Sequence, residues 1–255
     1  MKMRKLVYIL VLITNGIFAQ DNAKTQFDAA NELYRNEKYT EAIEKYESII
    51  KKDKLESSEL YFNIGNCYYK LGKIAPSIYN FEKALLLNPD DEAIQTNLNF
   101  AQKMAIDDIK VMPKVGFSNF LNKTTAIFAY DSWAWIAVGF STLFLLFFIG
   151  YYFSSMTILK RMFFLGMFVL LGFMVISVVF AFLQKQFDKK IRPAIVFEEV
   201  VNVKTEPKTT AENAFMLHEG TKVFVKETLD NWKRIELTDK SEGWIKKEAI
   251  KELKE

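Results

Sequence analysis

The stretch "GNCYYKLGKIAPSIYNFEKALLLNP" (residues 65–89) decides how the first half of the chain is read. It keeps a helical period, with small residues at Gly65, Ser77 and Ala84 and aromatic ones at Tyr69 and Phe81. The same pattern stands upstream: Ala30, Tyr34, Tyr39, Ala42 and Tyr46 correspond to Gly65, Tyr69, Ile74, Ser77 and Phe81, each at an offset of 35 residues. A fixed period with small residues at matched places predicts stacked helical hairpins. The small positions let two helices approach, and Tyr and Phe fill the space between neighbouring pairs. Pro76 falls in a first helical turn, where its missing N–H costs nothing.

On these residues the segment 23–106 resembles tetratricopeptide (TPR) repeats. The second copy carries Gly65, Tyr68, Gly72, Ala84 and Pro89 in the family's places. The first copy has Glu37 where the turn Gly is expected and ends in Lys54 rather than Pro. A partial third begins near Asp91, with Leu98 and Ala101 expected inward. Two and a half units make a short stack, and about three are needed to bury a continuous face. The exposed end therefore needs a cover, from the following segment or from a partner.

The flanks of the repeats are unlike them. Lys2, Arg4 and Lys5 precede an apolar run over Leu6–Phe18 and a small Ala19. This layout predicts a signal peptide over residues 1–19, cleaved near Ala19/Gln20, with an uncleaved anchor as the alternative. Downstream, no charge occurs between Ser132 and Leu159 or between Met162 and Gln184. The second run spans about 34 Å at 1.5 Å per residue, enough for a bilayer core. Two transmembrane helices are expected, over 132–153 and 162–184, with Trp133, Trp135, Tyr151 and Tyr152 as interfacial aromatics. Gly150, Gly166 and Gly172 are expected to let them pack closely, and Lys160 and Arg161 to sit in the loop between them. Residues 115–130 place Phe117, Phe120, Leu121, Thr124 and Phe128 at helical spacing, which suits either an interfacial amphipathic segment or a cap on the repeats.

Two spans put both soluble parts on one side. The signal peptide assigns that side to the exterior of a bacterial inner (cytoplasmic) membrane, the periplasm. Lys185, Lys189, Lys190 and Arg192 after the second span argue the other way by the positive-inside rule. The signal peptide is given precedence because it engages the translocon first.

The last sixty residues alternate in short runs broken by turn residues, which predicts a small β-barrel. Residues 194–255 resemble a bacterial SH3 (SH3b) domain. The resemblance rests on Asn202-Val203-Lys204-Thr205-Glu206-Pro207, on Gly220-Thr221-Lys222-Val223-Phe224-Val225, on Trp232, and on Gly243-Trp244-Ile245. It implies that Trp244 fills the barrel core, the alternative being that Trp232 and Trp244 are exposed aromatics that stack on a ligand. The expected fold class is multidomain: all-α TPR hairpins, a two-helix transmembrane hairpin, and a C-terminal small all-β SH3-like barrel.

Chemistry has few carriers. The chain holds a single Cys (Cys67) and a single His (His218), and its net charge of +3 points to no nucleic-acid partner. Cys67 is expected to pack inside a helix pair, His218 to be a solvated turn residue, and Asp107-Asp108 to be solvated carboxylates. No phosphate loop, zinc spacing or nucleophile elbow is present, so neither an enzyme nor a cofactor or metal is expected.

Binding remains. In TPR hairpins the first helix of each repeat lines a concave groove, and the resemblance nominates Lys24, Phe27, Asn31, Tyr34 and Arg35 from the first repeat. The second gives Glu59, Phe62, Asn66, Tyr69 and Lys70, and the partial third gives Phe100 and Lys103. Asn31 and Asn66 would grip a peptide backbone or carboxylate, and Arg35, Lys70 and Lys103 would favour an acidic segment. As a whole the order of parts, with "DSWAW" (131–135) entering the first span, resembles BatE-type TPR proteins of bacterial aerotolerance operons. That resemblance implies membrane partners with von Willebrand A-type domains, a second TPR protein, and a MoxR-type ATPase acting indirectly. The implied role is a non-catalytic scaffold. The alternative is a cell-wall sensor or tether that meets peptidoglycan through the SH3b domain.

Overall fold

The computed structural model describes residues 23–109 and 124–254. The expected signal peptide (1–19) and most of the expected interfacial segment (115–130) lie outside the described residues. The chain divides into two compact units: the repeats with the C-terminal domain, and the apolar hairpin over Met112–Ile191.

In the first unit, helix α1 (residues 23–35) and α2 (Tyr39–Ser48) form one hairpin, and α3 (Ser58–Lys70) and α4 (Ile74–Leu87) form the next. Helix α5 (Glu92–Gln102) packs on α4 with Ile94, Leu98 and Ala101 buried. Short polar side chains cap the starts of α3 and α5. Ser57 accepts the N–H of Leu60, and Asp91 accepts those of Ala93 and Ile94, satisfying donors that have no partner within the helix. A π-turn (Ile49–Asp53) ends α2, and Lys54 closes it at φ 52°.

Small-against-large packing joins each hairpin. A Cβ on Gly65 would stand 2.7 Å from the Phe81 ring, and the Ser77 hydroxyl donates to the Gly65 carbonyl at 3.0 Å. In the first hairpin Tyr46 is fully buried, with its ring 5.6 Å from that of Phe27.

The C-terminal domain is a seven-stranded antiparallel sheet in the order β3-β2-β6-β5-β4-β1-β7. Its strands are β1 (Pro193–Val196), β2 (Val200–Lys204), β3 (Asn213–His218), β4 (Lys222–Leu229), β5 (Trp232–Glu236), β6 (Glu242–Lys246) and β7 (Ile250–Glu252). Alternation sends Val201, Val203, Val223, Val225, Ile235 and Ile245 into one core. The expectation for Trp244 is corrected here. Gly243 and Ile245 are the buried positions of β6, so Trp244 points to the other face, in register with Arg234 and Lys204. Gly243 is required by contact, since a Cβ there would meet Val203 at 2.5 Å.

The barrel covers the open end of the repeats. Ile195 and Leu253 sit in the same buried cluster as Ile78, Phe81, Ile94 and Leu98. Tyr79 stacks edge-on with Phe197 at 5.7 Å, and its hydroxyl donates to the Glu252 carbonyl at 3.3 Å. Lys222 reaches both carboxylate oxygens of Glu82 at 2.7 Å. Gly220, at φ +87°, lies so close to Ile74 and Ile78 that a Cβ would stand 2.9 and 3.0 Å from them. The cover that two and a half repeats need is thus supplied by a domain from the far end of the chain.

The second unit is a hairpin of α6 (Tyr130–Phe153) and α7 (Thr157–Lys190). Both are long and apolar enough to cross a membrane, and only 6% and 11% of their apolar windows is buried. Gly150 lies under the Phe163 ring and Gly166 under Phe147, so two of the three expected glycines mediate close packing. Gly172 does not: nothing lies within 4 Å of its Cβ position. The turn is Ser154–Met156, and Lys160 and Arg161 stand inside the first turns of α7 rather than in a loop. Trp135 is 74% exposed, but Trp133 turns inward, with its ring 5.1 Å from Phe180 and its indole N–H donating to the Thr125 carbonyl at 2.8 Å.

Candidate functional site: the repeat groove

The first helices of the repeats, α1 and α3, together with α5, form a cleft of about 280 Å³ lined by Tyr34, Asn66, Tyr69, Lys70, Asn97 and Phe100. Five of these were nominated from the sequence. Asn97 was not, although it stands 35 residues after Phe62, the offset that relates the first two repeats.

Asparagine pairs hold the cleft in shape. Asn97 donates its amide to the Asn66 side-chain carbonyl at 2.7 Å, and Asn63 does the same for Asn31 at 3.1 Å. Asn31 also accepts the Tyr46 hydroxyl at 2.6 Å, so its carbonyl is a structural tie between α1, α2 and α3. Among the described residues, the donor side of the Asn66 amide faces no such claim. Tyr34 packs edge-on against Tyr39 at 5.4 Å, and burial, with Cys67 and Tyr39 adding, raises its pKa, so it stays a neutral donor.

Other nominated residues are placed elsewhere. Phe27 and Phe62 turn to Tyr46 and Phe81, at 5.6 and 5.9 Å between ring centres, and serve the cores rather than the groove. Lys24, Arg35 and Glu59 are exposed outside the cleft lining. Lys103 is exposed with its ammonium 5.6 Å from the Phe100 ring centre, beside the cleft mouth. The ammonium groups of Lys70 and Lys103 therefore flank an aromatic and amide surface, which suits a chain carrying carboxylates.

Cys67 is fully buried between the hairpins, and burial pushes its thiol up to about 12. It packs as a small apolar side chain and offers no thiolate. His218 and Asp107 depart from expectation. Asp107 is only 14% exposed at its side chain and binds the barrel three ways. It accepts the His218 backbone N–H at 2.7 Å, the Thr221 hydroxyl at 2.6 Å, and pairs with His218 Nδ1 at 2.7 Å. Burial alone would raise the Asp107 pKa, but these hydrogen bonds and the His218 charge outweigh it and lower it. Neither residue is solvated as expected; together they clasp the barrel to the end of the repeats.

On the barrel, a hollow of about 570 Å³ is lined by Thr209, Asn231, Trp232, Lys246, Lys247 and Glu248. Trp232 presents the aromatic face there.

Comparison with known proteins agrees with both soluble parts. The tetratricopeptide repeat family matches residues 58–91, and the bacterial SH3 domain family matches residues 198–252. Tetratricopeptide repeat protein 16 of Macaca fascicularis and that of Homo sapiens are each 30% identical over 79 residues. The match covers 31% of this chain and 9% of theirs, so the likeness concerns the repeat region alone. Domains of these two families are typically non-catalytic interaction modules.

Proposed function

We propose that this chain is a non-catalytic membrane-anchored scaffold, with the TPR groove as its working surface for an acidic segment of a partner protein. The carrying observation is the clasp between barrel and repeats, which joins them in one compact unit presenting the groove, in the same chain as an apolar hairpin. In this reading α6 and α7 cross the bilayer, and repeats and barrel share the periplasmic side of the inner membrane. Confinement to the membrane plane raises the effective concentration of a modest groove toward anchored partners. The BatE-type resemblance adds the partners: von Willebrand A-type membrane proteins and a second TPR protein, with a MoxR-type ATPase acting indirectly in an envelope complex for aerotolerance or stress.

A pull-down from native membranes with the full chain tests this, beside a Lys70→Glu/Phe100→Ala variant. Anchored von Willebrand A-type proteins are expected with the wild type and not with the variant. Equal recovery with both would remove the groove from the function. Protease treatment of intact spheroplasts tests the topology, both soluble domains being expected to be cleaved.

A cell-wall role is favoured by one observation, the hollow beside Trp232. Deleting the barrel cannot test it, because that also uncovers the repeat core. Trp232→Ala in the full chain does: loss of peptidoglycan retention with unchanged protein partners would favour this role.

A further inference from the structure

A second cleft, of about 730 Å³, shares no lining residue with the repeat groove. Helices α3 and α4 give it Tyr61, Tyr79, Lys83 and Leu87, while the barrel supplies Phe197 and Lys251. It therefore exists only while the two domains are docked.

Its chemistry is mixed in a particular way. The lining holds Lys51, Lys83, Lys251 and Lys254 against Glu47 and Glu56. Glu47 is already engaged, by Lys51 at 2.6 Å and by the Tyr68 hydroxyl at 3.3 Å. Lys251 lies on the Tyr79 ring at 4.4 Å and Lys83 on Tyr61 at 5.7 Å, so each ammonium stands over an aromatic floor. Beside them Leu86 and Leu87 are 40% and 49% exposed. Cationic and apolar side chains thus line the same cleft.

We propose that this composite cleft docks a short acidic peptide segment of a protein partner. Its carboxylates meet Lys83 and Lys251, and its apolar side chains seat against Leu86, Leu87 and Phe197. A lone anionic headgroup would leave the leucines and Phe197 unused, and a neutral glycan would leave the lysines unused. Because one wall belongs to each domain, an occupant binds the docked arrangement and stabilises it. This site is independent of the groove and would survive failure of the groove reading.

The test uses the full chain in detergent micelles and a fluorescein-labelled peptide of alternating Glu and Leu, read by anisotropy. Lys83→Glu is expected to weaken binding about tenfold, the size of one charge-assisted contact. Leu87→Ser, at an exposed position, weakens it several-fold, and Lys70→Glu in the groove leaves it unchanged. Gly220→Ala touches no lining residue but crowds Ile74 and Ile78, and it also lowers affinity. Wild-type affinity in both Lys83→Glu and Leu87→Ser overturns the proposal. So does loss with Lys70→Glu, which would put the peptide in the groove. Full competition by phosphatidylglycerol vesicles would make the cleft a headgroup site and overturn it equally.

Discussion

Glu252 of β7 is the meeting point of two cations. It accepts Arg192 through two bonds of 2.8 and 2.9 Å and Lys233 at 2.6 Å, and Lys233 is 6% exposed on the core face of β5. Burial alone would raise its pKa, but Arg192 and Lys233 outweigh that and hold it below the ordinary value. Glu252→Gln strands a buried ammonium and is expected to cost about 3 kcal/mol, seen as an earlier denaturation midpoint in tryptophan fluorescence. Asp107 gives a pH signature. Its carboxyl is held below the ordinary 3.8, so its contribution is complete above that pH and drains as pH falls through the folded value. Acid is therefore expected to loosen the repeat–barrel junction, and Asp107→Asn to remove that step, read by hydrogen exchange at residues 218–221. Neither partnership was legible in the sequence. Asp107 and His218 stand 111 residues apart and share no motif, so only the fold brings them together. Trp244 was misread for a simpler reason: the strand's phase is set by buried Gly243 and Ile245, and a large residue between them faces out.

At the scale of elements, the turns of the two hairpins are copies. Glu37 and Lys38 donate to Tyr34 and Leu33, as Gly72 and Lys73 donate to Tyr69 and Tyr68. Glu37 takes φ 61° and Gly72 φ 69°, so the first repeat keeps the left-handed turn without the residue that suits it. Glu37→Gly is expected to stabilise by about 1 kcal/mol, measured as a raised Tm. In the apolar hairpin, Gly166→Leu would drive a side chain into Phe147, whereas Gly172→Leu meets open space. Only the first should weaken α6–α7 association, followed by disulfide trapping of cysteines placed across the pair. The 35-residue period and the uncharged runs made these elements readable. The inter-helix turn was not, because Lys160 and Arg161 suggested a loop by charge, while the break comes earlier, at Ser154–Met156.

For the whole molecule, the sequence showed that the short repeat stack needs a cover but could not say which part of the chain provides it. The contacts that answer this are few and distant, such as Tyr79 to Glu252 across 173 residues. Period and alternation are blind to pairings of that range. Removing residues 192–254 should therefore harm the repeats themselves. With Ile78, Phe81, Ile94 and Leu98 stripped of Ile195 and Leu253, the remaining chain is expected to aggregate or lose helical signal on mild heating.

The apolar hairpin lies between the repeats, described to residue 109, and the barrel, which begins at Arg192, so it is an excursion between two parts that must meet again. During synthesis the repeats emerge first and wait, one end still sticky, until the barrel is made. With the hairpin in a bilayer as proposed, a second helix that failed to insert would strand the barrel on the wrong side. The repeats would then never be closed. On that proposed topology, completion of the fold doubles as an inspection of membrane insertion: only a correctly threaded molecule closes the end of its repeats.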